Sequence, residues 1–303
     1  MTISRRSWIH LAFATLCGCK GRKTAGPTRT PPNDAAPRLL AGPFEIDLPP
    51  GWRASASIEK VPAHALYTPD QFKWLQQAEA EGDPSPPLLK PHFGVRPQHW
   101  AIRLPAAIPP GFTLSQMDAG DNPTAPQILI HKAREWASIF RDGTEGLRDS
   151  TAVIQSMRQK LDATIRGEGV DPCPAVMDGS LTFDCLKKRL DFEGGYGIRM
   201  IAQRTIEPQM IRKGQLHYLF VGISDDNTCQ VLATFPVTLP GLPGEDSLEH
   251  LGQRFEPYHE FVQDYDSYQG DAITWLEQHA TEIDPSLDKL DKMLENLVVR
   301  QWE

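Results

Sequence analysis

The chain has 303 residues, of which 40% are hydrophobic and 23% are charged, and it carries 31 Lys and Arg against 39 Asp and Glu. This composition is too apolar for a disordered chain, and its apolar residues are too scattered for a polytopic membrane protein. The net charge of −8 argues against a nucleic-acid binder. A folded, acidic protein remains, and its length permits one large domain or two small ones.

The N-terminus has the features of an export signal. Arg5 and Arg6 form a cationic start, and a short, mostly apolar run follows from Trp8 to Leu16. This run is too short to span a bilayer as a permanent helix, which takes about 20 apolar residues. The sequence therefore predicts a signal peptide over residues 1–18.

The signal ends in Leu16-Cys17-Gly18-Cys19, which resembles the bacterial lipobox, with a branched apolar residue three positions before a lipid-carrying cysteine. The resemblance implies cleavage after Gly18 and a diacylglycerol on the Cys19 thiol, so the membrane is the first expected partner. Several acyl chains anchor a protein far more firmly than one, at about 0.8 kcal/mol per buried methylene. The alternative is an ordinary cleavable signal in which both cysteines are merely apolar.

The segment 4–9 also resembles the twin-arginine export signature, because its two arginines are followed after one residue by an aromatic and an aliphatic residue. Two arginines near the start equally satisfy the general export route, so both routes stay open. Either route predicts a protein on the periplasmic or cell-surface face of a bacterial membrane.

Residues 19–42 are rich in Pro, Thr, Ala, Gly and basic residues, and they contain hardly any large apolar side chain before Leu39. Such a segment cannot bury enough surface to offset the entropy lost when it is ordered. We therefore expect a disordered, Pro-rich tether between the lipid anchor and the body. Residues 43–303 then form a single folded domain.

The first half of this domain predicts short strands and one long helix. Alternating or continuous apolar residues indicate strands at three places: 44–48, 99–104 and 127–130. A short helical candidate lies at 70–80. The clearest amphipathic helix spans 147–165, where apolar residues recur every three or four positions, and Gly167 is its expected C-cap.

The second half is organised by turns. The segment 193–197, with three glycines, joins two alternating strands, and 224–227 joins a second pair of strands. Two helical segments close the chain. The first spans 247–279 with breaks near Pro257 and Gly270, and the second spans 285–299 with Asp284 as its N-cap. This order predicts an α+β fold, in which helices pack on an antiparallel meander sheet.

Several short segments of the second half occur in the same order in an uncharacterised family of bacterial secreted or lipid-anchored proteins, which this chain resembles. The segments are 192–199, 218–226, 235–237 with 242–243, and 287–291. The strand at 44–48 is also similar to the first strand of the PsbP-like fold. The resemblance implies an envelope location and an α+β fold, and it assigns no functional residue.

Three cysteines remain after removal of the signal and lipidation, in an oxidising compartment. Cys173 and Cys185 are separated by a loop that contains Pro172, Pro174 and Gly179. A disulfide between them closes a short loop and stabilises by about 3 kcal/mol. The rival pairing joins Cys185 to Cys229, and either pairing leaves one thiol over.

The sequence lacks the motifs that would identify an enzyme. It contains no nucleophile elbow, no Walker loop and no zinc helix of the His-Glu-x-x-His type. We therefore expect no catalytic, cofactor-binding or metal site.

The favoured hypothesis is a non-enzymatic envelope lipoprotein that serves binding, scaffolding or envelope maintenance, with another envelope protein as a candidate partner. Two alternatives remain open. One is a secreted hydrolase whose site is assembled from distant residues, and the other is an inhibitor or immunity-type module that binds a protein. The oligomeric state stays open as well.

Overall fold

The computed structural model describes residues 38–65, 95–110, 112, 125–140, 150–174, 180–300 and 302. The export signal, Cys19 and most of the tether lie outside these residues, as does the helical candidate at 70–80. None of the helices described is long and apolar enough to cross a membrane.

The strands of the described residues are β1 (Leu39–Ala41), β2 (Phe44–Ile46), β3 (Ser57–Val61), β4 (His64–Ala65), β5 (Val95–Arg96), β6 (His99–Arg103), β7 (Gln127–Lys132), β8 (Ser180–Phe192), β9 (Gly195–Thr205), β10 (His217–Ser224), β11 (Cys229–Pro236), β12 (Glu249–His250), β13 (Gln253–Arg254) and β14 (Val298–Val299). The α-helices are α1 (Pro50–Arg53), α2 (Ser150–Ile165), α3 (Tyr258–Gln263), α4 (Tyr265–Gln278) and α5 (Leu287–Glu295). Short 3₁₀ segments lie at Pro105–Ala107, Ala133–Phe140 and Ala280–Glu282.

A seven-stranded sheet in the order β3-β6-β7-β11-β10-β9-β8 forms the centre of the domain, and every pair of neighbours is antiparallel. Strands β8 to β11 follow one another as a meander: tight turns connect β8 to β9 and β10 to β11, and residues 206–216 connect β9 to β10. The expected α+β fold with an antiparallel meander is confirmed. The sheet is wider than the meander, since β7, β6 and β3 extend it beyond β11.

Glycines in β9 allow a close approach of β10. The turn between β8 and β9 is shorter than expected, and only Gly194, with φ of 92°, needs the left-handed region there. Gly197 belongs to the strand itself. A Cβ at this position would lie 2.4 Å from the ring of Phe220 and 2.4 Å from the carbonyl oxygen of Val221. The absence of a side chain therefore makes room for an aromatic ring in the core.

One face of the sheet, here called the C-terminal face, carries the larger core. Side chains of β10 and β11 such as Tyr218, Phe220 and Phe235 point to it and are fully buried. The amphipathic helices α4 and α5 cover them with residues such as Leu276 and Leu290. The small sheet β1-β2-β14 completes this cover.

The opposite face, here called the α2 face, carries a smaller core. Alternate residues of β9 and β10, such as Met200 and Leu219, point to it, and α2 covers them with Leu161. The helix ends at Ile165, and Gly167 follows it in the left-handed conformation expected of its cap, with φ of 83°. The N–H groups of Gly167 and Glu168 donate to carbonyls in the last turn, which is a Schellman motif.

The predicted helix at 247–279 is wrong at its start. Residues 249–254 form the β12–β13 hairpin, and α3 begins only after Pro257. The break between the two helices falls at Asp264 and not at Gly270, which lies inside α4. Pro257 is the N-cap of α3. Because proline has no N–H group, it cannot donate to a strand ladder such as that of β12 and β13, and it suits the start of a helix.

The last helix is shorter than expected. It ends at Glu295, because Val298 and Val299 leave it to pair with β2 as strand β14. Its N-cap is Ser286 and not Asp284. The folded body also begins earlier than expected, since β1 starts at Leu39 inside the segment assigned to the tether.

We expect Gly197→Ala to lower the free energy of unfolding by about 2 kcal/mol, because the added methyl forces Phe220 or the β10 backbone to move. The matched control is Gly169→Ala, since a Cβ at Gly169 meets nothing within 4 Å. The control should change stability by less than about 1 kcal/mol. Urea denaturation followed by far-UV circular dichroism measures both, and equal losses would contradict the packing argument.

Candidate functional site

Charged and polar side chains from two strands and one helix of the second half of the chain meet on the C-terminal face of the sheet. Arg199 comes from β9, Tyr218 from β10 and Asp291 from α5. Asp291 is buried, and Leu287 one turn earlier lies on the same side of the helix. An acid within the leucine stripe of an amphipathic helix is the sequence signal that marks this position.

The carboxylate of Asp291 accepts hydrogen bonds from three side chains. Oδ1 receives the Tyr218 hydroxyl at 2.9 Å and Nε of Arg199 at 3.2 Å, and Oδ2 receives Nζ of Lys188 at 2.8 Å. Lys188 also lies 3.7 Å from the carboxylate of Glu295 on the same helix. We call these four residues, Lys188, Arg199, Tyr218 and Asp291, the Asp291 cluster.

A bulge in β8 shapes the cluster. The register between β8 and β9 shifts between Cys185 and Lys188, and Leu186 adopts the left-handed conformation with φ of 50°. The carbonyl of Leu186 accepts a hydrogen bond from Nη1 of Arg199. The bulge therefore points the carbonyl oxygen of Leu186 toward the guanidinium of Arg199. In a regular antiparallel ladder this oxygen would pair with the neighbouring strand.

Burial and hydrogen bonds keep Tyr218 and Lys188 of the Asp291 cluster protonated. Burial raises the pKa of Tyr218 well above its usual value, and the neighbouring Asp291 charge raises it further. The hydrogen bond to Asp291 raises the pKa of Lys188. At neutral pH the tyrosine and the lysine thus remain donors, and the carboxylate has donors on both oxygens. This arrangement fastens α5 to the sheet.

A second polar group lies on the α2 face. His99 and His131 are cross-strand partners on β6 and β7, and Gln230 on β11 follows His131 in the same row. The ring of His131 lies 4.7 Å from the rings of both His99 and Trp136. We call these four residues the histidine row. All four are buried.

His131 is held neutral. It is fully buried, and neither ring nitrogen has a hydrogen-bond partner among the described residues. Burial lowers its pKa well below the usual value, and electrostatic interaction with His99 and Arg96 lowers it further. Burial also lowers the pKa of His217 on β10 to about 4. Neither histidine is therefore charged at neutral pH.

The expected Cys173–Cys185 disulfide is not formed in the structure, where Cys173, Cys185 and Cys229 are all free and buried. Cys185 belongs to the core of the C-terminal face, whereas Cys173 belongs to the core of the α2 face. The sheet separates the two thiols, and a disulfide needs Cα atoms within about 7 Å of each other.

The rival pairing fails for a similar reason. Cys185 and Cys229 share the C-terminal face, but β9 and β10 lie between their strands. Three strand spacings amount to about 14 Å. Burial raises the pKa of each thiol, for Cys229 to about 11, so the thiols stay protonated and are weak nucleophiles at neutral pH.

Within the part of the chain that the structure describes, no group of three or more His, Cys, Asp or Glu side chains is placed to hold a metal ion. No protein-family model, no curated protein and no solved structure matches this chain. The site is therefore interpreted from its own geometry.

We expect Asp291→Asn to lower the free energy of unfolding by about 3 kcal/mol, because it leaves the buried Arg199 without a counter-charge. Asp288→Asn is the matched control on the same helix. Asp288 is exposed and pairs with Lys292 at the surface at 2.7 Å, so its loss should cost less than about 1 kcal/mol. Guanidinium denaturation compares the variants, and similar small losses for both would show that the buried pair stabilises little.

We also expect stability to fall in acid. His131 and His217 are neutral in the folded protein, but in the unfolded chain they bind protons below about pH 6.5. The contribution of each of these histidines to the free energy of unfolding is therefore fully present above about pH 6.5. It declines by about 1.4 kcal/mol per pH unit for each histidine as the pH falls toward the pKa of the folded protein. Denaturation at about pH 7.5, 6.5, 5.5 and 4.5 measures the slope of the free energy of unfolding against pH. These values reach about two units below the histidine pKa of the unfolded chain.

The His131→Phe variant should show a shallower slope than the natural chain, because a phenylalanine keeps an aromatic ring and cannot titrate. The exposed His259 provides the control, and His259→Phe should leave the slope unchanged. An unaltered slope in His131→Phe would remove His131 as a source of the acid sensitivity.

Proposed function

We propose that this chain is a lipid-anchored protein of the bacterial cell envelope, and that its α+β domain binds another envelope component and is not an enzyme. The anchor rests on the sequence Leu16-Cys17-Gly18-Cys19 behind a cationic and apolar leader. The structure describes no membrane-spanning helix, and this finding does not bear on a lipid anchor at Cys19, which lies outside the described residues.

The main support for a binding role over a catalytic one is the environment of the Asp291 carboxylate. A catalytic carboxylate needs a free oxygen that reaches a substrate or a water. Here both oxygens accept hydrogen bonds from the protein's own side chains, and the residue is buried between α5 and the central sheet. The most enzyme-like cluster of the described domain thus acts as a structural fastener.

The other reactive side chains of the described domain support the same role. The thiols of Cys173, Cys185 and Cys229 are buried and protonated, which suits packing better than nucleophilic attack. His131 is enclosed by Trp136 and the sheet, so a substrate does not reach its ring without displacing them. Helices and the small β1-β2-β14 sheet cover the two faces of the central sheet, so a partner meets these covering elements and the loops beside them.

The anchor is tested by growing cells with a clickable fatty acid and isolating the protein. The natural chain should carry the label and stay with the membranes. Cys19→Ser should lose the label and enter the soluble fraction, because the acylated thiol is gone. Cys17→Ser is the matched control, two residues away, and should keep the label.

Unchanged labelling of Cys19→Ser would show that the chain is not anchored at this cysteine. The binding role is tested separately with the purified protein. Turnover of ester, peptide or phosphoester substrates that disappears in Asp291→Asn or in a cysteine variant would overturn it in favour of a hydrolase.

A further inference from the structure

The negative charge of the chain is concentrated in one stretch. Residues 255–288 contain nine Asp and Glu and no Lys or Arg. The other 30 acids of the 39 nearly balance the 31 Lys and Arg of the chain. We call 255–288, which comprises α3, α4 and the segment that leads into α5, the acidic layer. This stretch, about a ninth of the sequence, thus accounts for the whole net negative charge of the chain.

The acidic layer is open to solvent on its charged side. Tyr268, Ala272 and Leu276 fix α4 to the core, and the nine acids all lie exposed. They are Glu256, Glu260, Asp264, Asp266, Asp271, Glu277, Glu282, Asp284 and Asp288. Among the described residues only Asp288 has a Lys or Arg partner, Lys292 at 2.7 Å. The surface therefore keeps a strong negative potential.

Apolar side chains interrupt this surface. The described residues include four large apolar side chains that are exposed, and three of them border α3: Ile206 at 87%, Leu248 at 39% and Val262 at 38%. The fourth, Leu40, belongs to β1. Single exposed apolar residues are ordinary, whereas several around one short helix indicate an interaction surface.

Tyr258 joins these side chains. Its hydroxyl lies near the carboxylate of Glu207, next to Ile206, and burial together with this carboxylate raises the pKa of Tyr258. Val262 lies one turn after Tyr258 on the same side of α3. The ring of Tyr258 also lies 5.6 Å from that of Phe255, whose N–H donates to the carbonyl of Leu248. We call Ile206, Leu248, Tyr258 and Val262 the apolar strip.

We propose that the apolar strip and the acidic layer around it form a docking surface for a basic, amphipathic protein segment. This inference rests on the proposed binding function and names the chemistry of the partner. Large apolar side chains of the segment cover the strip, and Lys and Arg beside them meet carboxylates such as Glu207, Glu256 and Glu260. Charge complementarity of this kind speeds encounter and selects the partner.

Two other occupants fit the surface less well. The basic tether of a second copy carries charge, but residues 20–38 contain no Leu, Ile, Met, Phe or Trp to cover the strip. A metal ion needs converging ligands, and the structure places no group of three acidic, histidine or cysteine side chains for one within the residues it describes.

The test uses full-length protein purified from cells and three short synthetic peptides, built from Leu and Lys, from Ser and Lys, and from Leu and Glu. Fluorescence anisotropy at low and high salt measures their dissociation constants. The Leu/Lys peptide should bind, and high salt should weaken it. The Ser/Lys peptide should bind at least about tenfold more weakly, and the Leu/Glu peptide should not bind.

Variants locate the site. Ile206→Ser and Val262→Ser should each weaken the Leu/Lys peptide about tenfold, whereas Leu40→Ser, the matched exposed control, should not. The charge reversals Glu256→Lys and Glu260→Lys together should weaken it further. Glu168→Lys with Asp191→Lys changes the net charge equally at exposed positions outside the layer and should have little effect.

Equal binding of both lysine peptides, or equal losses for both pairs of charge variants, would reduce the effect to bulk attraction and overturn the docking site. Self-association that Ile206→Ser abolishes, measured by sedimentation velocity, would identify a second copy as the occupant and overturn the proposed partner. Failure of the lipid anchor is a separate result, since it changes the membrane fraction and leaves peptide binding as it is.

Discussion

A single buried carboxylate holds the C-terminal part of this domain in place. Asp291 receives donors from Lys188, Arg199 and Tyr218, which lie 103, 92 and 73 positions earlier in the chain. Burying a charge is costly unless it is paired and hydrogen-bonded, so the carboxylate and the donors need each other. The leucines of α5 then pack around this contact, and β14 follows to pair with β2.

The cover on both faces determines how such a protein meets other molecules. The sheet itself is enclosed, by α2 on one side and by α4, α5 and the small β1-β2-β14 sheet on the other. Charge is distributed unevenly over the outside, because residues 255–288 contain nine Asp and Glu and no Lys or Arg. The proposed recognition of a partner on this surface therefore depends on charge and on exposed apolar side chains.

Local patterns predicted the meander and the end of α2 well. Alternation of apolar residues identifies a half-buried strand, and Gly167 ends α2 because a left-handed residue is needed there. The same patterns failed where neighbouring chain segments compete. Residues 298–299 continue a helical pattern, but the free edge of β2 offers them ladder partners, and residues 249–254 likewise form a hairpin.

The polar clusters were harder to predict. Asp291 stands out within a leucine stripe, yet the identity of its partners depends on a bulge at Leu186 and on the order of the three strands β8, β9 and β10. The pairing of His99 with His131 depends on the register of β6 and β7, where a shift of one residue would turn each side chain to the other face. Spacing suggested a disulfide between Cys173 and Cys185, and the sheet separates them.

The sequence by itself determined the α+β class, the meander, the principal amphipathic helix and the excess of acid, because periodicity, turn residues and composition are local properties. It also predicts the lipid anchor, through residues outside the described structure. Only the tertiary structure decided which residues meet: the donors of Asp291, the faces that hold the thiols, and the grouping of Ile206, Leu248 and Val262 around α3. Such contacts join positions far apart in the chain, and they form only when strand order and register bring them together.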